Sequence, residues 1–198
     1  MAKADGRPLV VLDTSCLIAL EQAEPQARAL RQIEDRFQSG DIRLAISVVS
    51  SSENPHEGRT NEWEEFGSRL SDVGLQDVAL LDTLAIVGLA RVGRAVVPGE
   101  GDPFDRIFEA LFPGTSRDLA KFARDRRESE DVALPAHRNR MCDASVIWSV
   151  WHAGGGWLVT TDGNFHRKRT VMLDYGVVVM SADEAVQRLG PPTRQGDA

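Results

Sequence analysis

The sequence predicts an α/β protein whose mostly parallel sheet is covered by helices on both faces. Short apolar runs typical of strands alternate along the chain with segments of helical periodicity, which is the pattern of parallel strands joined by crossover helices. Two of these runs end in an acid, at Asp13 and at Asp162, and parallel strands place such acids at one edge of the sheet. The 198 residues, 42% of them hydrophobic, suffice for the core of one domain.

The first quarter of the chain predicts a strand, two helices and a second strand. Residues 9–12 form a buried apolar strand, and a short helix follows over about 15–20. Pro25 suits the first turn of a second helix, whose apolar residues recur at helical spacing until Ser39 and Gly40 end it. β-branched residues dominate 42–49, which predicts the second strand.

The middle of the chain is mainly helical, beginning with a short helix over 62–70. Residues 78–83 allow two interpretations. One is a short strand followed by a helix that Asp82 caps and that runs to about 92, and the other is one continuous helix from Asp77. Asp102 caps a further helix that Pro113 ends, and Thr115 begins the next.

The last third of the chain contains two more strands. Pro135 interrupts the helical pattern, and a helix is expected from about 138 to 152, where three glycines end it. Apolar strands at 157–160 and 177–180 follow, with a basic turn between them. Ser181 and Glu184 have the spacing of a capping box that opens a final helix, which Gly190 ends. We expect one domain over 1–190 and a disordered tail over 191–198.

The composition narrows the class of function. The formal net charge of −7 argues against a protein that coats nucleic acid. It does not exclude a nuclease, because acids that bind a metal repel phosphate only until the metal is present. No run approaches the roughly 18–20 apolar residues of a membrane helix, and no signal-peptide segment precedes the first strand. Cys16 and Cys142 lack zinc-type spacing and are expected to be buried thiols in a reducing cytoplasm.

Four acids are candidates for one site. Asp13 and Asp162 end two strands, Glu53 follows the second strand, and Asp143 lies near the start of the apolar helix that leads to the Asp162 strand. Carboxylates that converge at one sheet edge need a compensating charge, and Mg²⁺ or Mn²⁺ is the natural partner of such oxygen ligands. Metal-assisted phosphoryl chemistry follows from that arrangement. Each acid also has a structural explanation, as a helix cap, a first-turn acid or a turn residue.

The segments that carry these acids resemble the four motifs of PIN-domain nucleases. Asp13-Thr14-Ser15 after an apolar strand is similar to the opening motif, and residues 46–53 are similar to the second. Residues 142–147 resemble the third motif, and residues 158–165 resemble the fourth. The resemblance covers about 9–54 and 138–182, and it depends on the order and context of the motifs together.

The resemblance implies a PIN-like three-layer α/β/α sandwich with a central sheet of about five mostly parallel strands. It also implies a Mg²⁺- or Mn²⁺-dependent ribonuclease in which Asp13, Glu53, Asp143 and Asp162 are the catalytic metal ligands. The polar side chains that would orient water or carboxylates there are Thr14, Ser15, Thr161 and Asn164. Many small family members are VapC-like toxins of toxin–antitoxin pairs, so an antitoxin partner and a cytoplasmic homodimer are expected.

Three departures from the family pattern leave alternatives open. Pro55 follows Glu53 almost at once, so Glu57 is the substitute for the second-motif acid. Asn164 stands where many members have another acid, and a helical insertion occupies about 95–136. The alternative function is a catalytically degenerate PIN-like module that binds RNA or a protein partner. A metal phosphatase of small molecules ranks lower, because the Asp13 motif lacks the second Asp of an aspartyl-phosphate mechanism.

Two basic clusters are candidates for RNA contact. His166, Arg167 and Lys168 follow the Asp162 strand closely, and Arg140 belongs to a group of arginines between 124 and 140. Each cluster also has an explanation that does not involve RNA. The cluster that begins at His166 would be a solvated turn, and the arginines between 124 and 140 would be the charged face of a helix. A further pair, Trp148 and Trp151, is separated by three residues on one helix and is expected in the core or against a partner chain.

Overall fold

A five-stranded parallel sheet forms the centre of the molecule. The computed structural model describes residues 6–49, 63–86 and 94–191. The strands in chain order are β1 (Leu9–Leu12), β2 (Arg43–Ser47), β3 (Ala79–Leu81), β4 (Thr83–Leu84), β5 (Ala95–Val96), β6 (Gly156–Val159) and β7 (Val177–Met180). The central sheet has the order β3-β2-β1-β6-β7, and its neighbouring strands are all parallel. The predicted α/β class with a parallel sheet of about five strands is confirmed.

Eight α-helices lie in the described residues. They are α1 (Thr14–Glu21), α2 (Ala27–Gln38), α3 (Trp63–Asp72), α4 (Phe104–Leu111), α5 (Leu119–Arg126), α6 (Glu130–His152), α7 (Gly163–Met172) and α8 (Ala182–Leu189). None of these helices combines the length and the apolar character that crossing a bilayer requires.

Helices cover both faces of the sheet because both faces of its strands are apolar. Along β1, Val10 and Leu12 contribute to one hydrophobic cluster while Leu9 and Val11 contribute to the other, and all four side chains are buried. The first cluster joins the sheet to α1, α2, α3 and α8, and the second joins it to α4, α6 and α7. The molecule is therefore a three-layer α/β/α sandwich, as expected.

The strand order reverses between β1 and β6. From β1 the chain proceeds to β2 and β3 on one side, and after α4, α5 and α6 it returns to form β6 on the other side of β1. Strands whose connections diverge in this way leave a crevice outside their carboxyl ends, which is where open α/β sheets bind ligands. The residues that follow Leu12 and Val159, which are partners in the β1–β6 register, border this crevice.

Residues 78–86 confirm the short strand of the first interpretation but not the helix that was predicted to begin at Asp82. β3 is followed at once by the extended residues of β4, so no helix begins at Asp82. β4 and β5 pair in parallel as a separate two-stranded sheet. The Asp82 carboxylate is not a helix cap, and it accepts a hydrogen bond from Nη1 of Arg94 at 3.3 Å. The rest of the predicted helix, over 87–92, lies outside the described residues.

The long helix α6 begins at Glu130 rather than near residue 138. Ser129 caps it, because its hydroxyl accepts the backbone N–H of Val132 at 3.4 Å. Pro135 lies inside the helix and does not end it. Its ring removes one N–H···O bond close to the helix start, and the buried side chains beyond it hold the helix against the sheet.

The C-terminal third follows the prediction with one correction. The basic run after Asp162 is not a turn, because it forms part of α7. The predicted capping box is confirmed: the Glu184 N–H donates to Ser181 Oγ at 3.2 Å, and the Ser181 N–H donates to Glu184 Oε2 at 2.7 Å. Gly190 ends α8 as expected, and residues 192–198 of the predicted tail lie outside the described residues.

The predicted helical insertion contains α4, α5 and the first turns of α6. Trp148, on α6 beneath it, is 1% exposed, so this side chain belongs to the core and does not face a partner chain. Its indole N–H donates to Oδ2 of Asp102 at 2.9 Å. Asp102 Oδ1 also accepts the N–H of Phe104 at 2.8 Å, as expected for a residue that starts α4.

Candidate metal centre

The crevice between β1 and β6 brings together two of the four predicted acids. Asp13 directly follows β1, and its backbone N–H donates to the carbonyl of Val159, the last residue of β6, at 3.0 Å. Asp162 lies three residues after Val159 and begins α7. The sheet register therefore places both carboxyl-bearing residues at the edge where the strand order reverses.

The carboxylate of Asp13 is buried and held by two hydroxyls. Asp13 is 6% exposed, and its Oδ2 accepts hydrogen bonds from Ser15 Oγ at 2.8 Å and from Thr160 Oγ1 at 2.7 Å. The two hydroxyl oxygens are 3.3 Å apart. Because both donate to Oδ2, Oδ1 receives no side-chain hydroxyl in the described part of the chain.

Thr160 connects the two halves of the site. Its hydroxyl donates to Asp13 and accepts the backbone N–H of Asp162 at 3.0 Å, and the residue is fully buried. The backbone N–H of Thr161 donates to Ser15 Oγ at 3.0 Å. These bonds fasten the segment after β6 to the start of α1. The hydroxyls that contact Asp13 are therefore those of Ser15, which was predicted, and Thr160, which was not. Thr161, which was also predicted for this role, is exposed and contributes its backbone N–H.

Asp162 is half-buried and caps helix α7. Its Oδ1 accepts the backbone N–H of Asn164 at 2.7 Å, which is an N-cap bond. Asn164 contacts Asp162 through this backbone group. The negative charge of Asp162 is close enough to raise the pKa of Asp13. The charge of Asp162 therefore acts on Asp13, although each carboxylate has its own hydrogen-bond donors.

Burial dominates the ionisation of Asp13. Desolvation raises the pKa of Asp13 above its ordinary value, and the hydroxyl hydrogen bonds from Thr160 and Ser15 act in the opposite direction. The charge of Asp162 raises the pKa further. A backbone hydrogen bond of Thr14 also lowers the pKa of Asp13, but the described residues compensate the charge of ionised Asp13 only in part. A hard cation would supply the missing charge, and carboxylate and hydroxyl oxygens are the donors that Mg²⁺ and Mn²⁺ prefer.

The donor set fits a divalent cation but is incomplete in the described residues. Within 6–49, 63–86 and 94–191, no three His, Cys, Asp or Glu side chains lie close enough to hold one ion. Asp143 is half-buried in the interior of α6, and Glu53 and its substitute Glu57 lie outside the described residues. Asp13 and Asp162 are therefore the acids that the described structure brings together.

Two further side chains at the start of α1 border the site. Thr14 is 3% exposed, and its hydroxyl has no hydrogen-bond partner among the described residues. The Cys16 thiol donates to the carbonyl of Val159 at 3.2 Å, and burial raises its pKa above the ordinary range. Cys16 and Cys142 are both buried, as expected, and they form no disulfide. Because its pKa is raised, the Cys16 thiol is not a reactive thiolate at neutral pH.

The basic residues predicted to contact RNA occupy two different places. His166 donates from Nε2 to the carbonyl oxygen of Thr160 at 3.0 Å, so this nitrogen supports the site rather than reaching outward. Arg167 is exposed and Lys168 is half-buried on the first turns of α7. Arg140 lies on α6, where its guanidinium packs on aromatic rings.

The fold and the site define an α/β/α sandwich with an acidic crevice at the point where its strand order reverses. No protein-family model matches the sequence, and no curated protein is significantly similar to it.

Proposed function

We propose that the protein is a Mg²⁺- or Mn²⁺-dependent ribonuclease of the PIN type. The observation that carries the proposal is the meeting of Asp13 and Asp162 at the carboxyl ends of β1 and β6, with Asp13 buried and oriented by Ser15 and Thr160. The order of the acidic motifs along the chain supports the same function. The cytoplasmic toxin of a toxin–antitoxin pair, acting as a homodimer, is the biological setting that the resemblance favours.

The residues of the crevice have distinct proposed roles. Asp13 and Asp162 would hold the cation, and the second-motif acid would add a further ligand. The resemblance names Asp143 as well, but among the described residues Asp143 forms no three-acid cluster with Asp13 and Asp162. A bound cation would act as a Lewis acid, which would activate water and stabilise charge on the leaving oxygen. Thr160 and Ser15 fix the Asp13 carboxylate, because both hydroxyls donate to Oδ2 and direct Oδ1 away from them. Arg167 and Lys168 would hold the phosphate backbone near the crevice.

Cleavage of a single-stranded RNA in the presence of Mn²⁺ tests the proposal. The unaltered protein is expected to cleave, and EDTA is expected to abolish cleavage. Asp13→Asn and Asp162→Asn should each lose activity at least a hundredfold, because each removes a ligand charge. Asp174→Asn is the matched control, because Asp174 is exposed near the opposite end of α7.

Metal binding separates this proposal from the degenerate module. Mn²⁺ should raise the melting temperature of the unaltered protein and of Asp174→Asn but not of Asp13→Asn. RNA cleavage that persists in Asp13→Asn or in EDTA contradicts the nuclease assignment. RNA binding without either cleavage or Mn²⁺-dependent stabilisation would instead favour the degenerate module. One observation favours this second function. Oδ1 of Asp162 already accepts a hydrogen bond at the start of α7, so this oxygen is not free to bind a metal without competition.

A further inference from the structure

Arg140 is a half-buried cation that forms no ion pair with any described residue. Its guanidinium lies 4.8 Å from the ring centroid of Phe122 and 5.6 Å from that of Phe112. Nη1 is sealed from solvent and makes no hydrogen bond to the described part of the chain. Removal of a cation from water is unfavourable unless an anion compensates it, and contact with aromatic faces offsets only part of that cost.

Two other arginines of this chain bind a carboxylate in a bidentate manner through the Nε/Nη2 edge of the guanidinium. Nε and Nη2 of Arg69 donate to the two oxygens of Glu21 at 2.7 and 2.9 Å. Nε and Nη2 of Arg126 donate to the two oxygens of Glu128 at 2.8 and 2.9 Å.

The corresponding edge of Arg140 is open. Among the described residues, no acceptor bonds its Nε or Nη2, and neither atom is one of the buried nitrogens without a partner. Both atoms therefore keep access to solvent. The aromatic rings pack against the guanidinium and restrict its orientation. The Nε/Nη2 edge can therefore donate two hydrogen bonds to one anion.

The direction of α6 places Arg140 on the side of the sheet where the crevice opens. Ser149 Oγ is 3.1 Å from Oγ of Ser47, the last residue of β2, and α6 then passes through Gly154 and Gly155 to the beginning of β6. The helix therefore runs antiparallel to the strands. With a rise of 1.5 Å per residue, Arg140 lies about 14 Å before Ser149 along the helix, beyond the carboxyl edge.

We propose that the Nε/Nη2 edge of Arg140 binds a backbone phosphate of a single-stranded RNA that continues away from the crevice. This inference rests on the proposed function, because RNA is taken as the substrate. A planar fork matches two phosphate oxygens, and a strand that leaves Asp13 along α6 brings phosphates past Arg140. A substrate must then extend several nucleotides beyond the cleaved bond to be bound at both places.

The salt dependence of RNA binding tests this contact. Fluorescence anisotropy with a labelled 12-nucleotide single-stranded RNA, in EDTA to prevent cleavage, gives the slope of log affinity against log salt concentration. One lost phosphate contact reduces the slope of a single strand by about 0.7. Arg140→Gln is expected to reduce the slope by that amount and to weaken binding several-fold, with the far-ultraviolet circular dichroism of the unaltered protein.

Arg126→Gln is the matched control. Arg126 lies 5.3 Å from the same Phe122 ring, but Glu128 already occupies its Nε/Nη2 edge. Its replacement should leave the slope unchanged. Arg140→Lys keeps the charge without the fork, so it should keep the slope and bind RNA more weakly. This variant carries the test if Arg140→Gln does not fold.

The possible results separate this inference from the proposed nuclease. An unchanged slope in Arg140→Gln, an equal loss in Arg126→Gln, or full affinity in Arg140→Lys overturns the phosphate contact. Absence of RNA binding overturns it as well. RNA binding that depends on Arg140, without Mn²⁺-dependent cleavage, supports the phosphate contact and contradicts the proposed nuclease function. Mn²⁺-dependent cleavage with an unchanged slope in Arg140→Gln supports the nuclease function and contradicts the phosphate contact.

Discussion

Replacement of Thr160 by valine should destabilise the protein and impair its site together. Valine preserves the shape of the buried side chain but removes the hydroxyl that donates to Asp13 Oδ2 and accepts the Asp162 N–H. A hydrogen bond to a charged group contributes roughly 1.5–3 kcal/mol, and a buried N–H left without an acceptor costs about 1–3 kcal/mol. Because the two effects overlap, we expect a loss of about 3 kcal/mol, which lowers the melting temperature of a domain of this size by roughly 6–12 °C.

Thr161→Val is the matched control for this experiment. In the described part of the chain, the exposed Thr161 hydroxyl makes no hydrogen bond, so its loss should change stability by less than about 0.5 kcal/mol. Urea denaturation measures both variants, and the Mn²⁺-dependent cleavage assay should show a roughly 10–100-fold loss in Thr160→Val alone, as is usual for a residue that orients a ligand. Equal effects of the two replacements, or a larger effect of Thr161→Val, would refute the assignment of Thr160 as the connecting hydroxyl.

Two further predictions concern stability. Burial raises the pKa of Asp13 in the folded protein above its ordinary value of 3.8. The contribution of Asp13 to the free energy of unfolding is therefore greatest below pH 3.8, and it is lost as the pH rises through the pKa of the folded protein. Asp13→Asn should therefore be more stable than the unaltered protein in EDTA at pH 7 but not at pH 3.5, and urea denaturation that shows lower stability at pH 7 contradicts this. Gly155→Ala should cost about 2–4 kcal/mol, since φ is +88° and the new Cβ would lie 2.7 Å from the carbonyl oxygen of Gly176. Gly154→Ala, with φ of +95° and open space around the Cβ, should cost only about 1 kcal/mol in thermal denaturation, and equal losses would argue against the close contact.

Sequence predicted those elements whose ends have local chemistry of their own. The Ser181–Glu184 capping box and Gly190 bound α8 through contacts within a few residues, so the sequence pattern is sufficient. At Asp82 the outcome depends on a distant partner, because β4 is extended only where β5 pairs with it. At Pro135 the local signal is overridden, because the buried residues later in α6 pack on the sheet and extend the helix through the proline.

The sequence predicts which acids follow the ends of strands, but it does not predict the hydrogen bonds that hold them. Asp13 and Asp162 were identified because each follows an apolar strand, and parallel pairing alone brings such ends together. The choice between Thr160 and Thr161 needed the path of the chain after β6. Alternation gave no help there, because Leu158 and Val159 are both buried on opposite faces of a covered sheet. The sequence predicts a phosphate contact or a solvated turn for His166, and the helical form of this segment instead directs its ring to the Thr160 carbonyl.

The described chain leaves two opposite charges incompletely compensated on the side of the sheet where the crevice opens. Ionised Asp13 is buried beside Asp162 with its hydroxyl donors on one oxygen only, and Arg140 is held against two rings with the edge that binds anions open. A fold selected for stability alone would pair these groups or replace them with apolar ones. A divalent cation at Asp13 and an RNA phosphate at Arg140 would compensate both. If the proposed contacts hold, a net charge of −7 does not prevent RNA binding, because such contacts depend on the local placement of a few charges rather than on their sum.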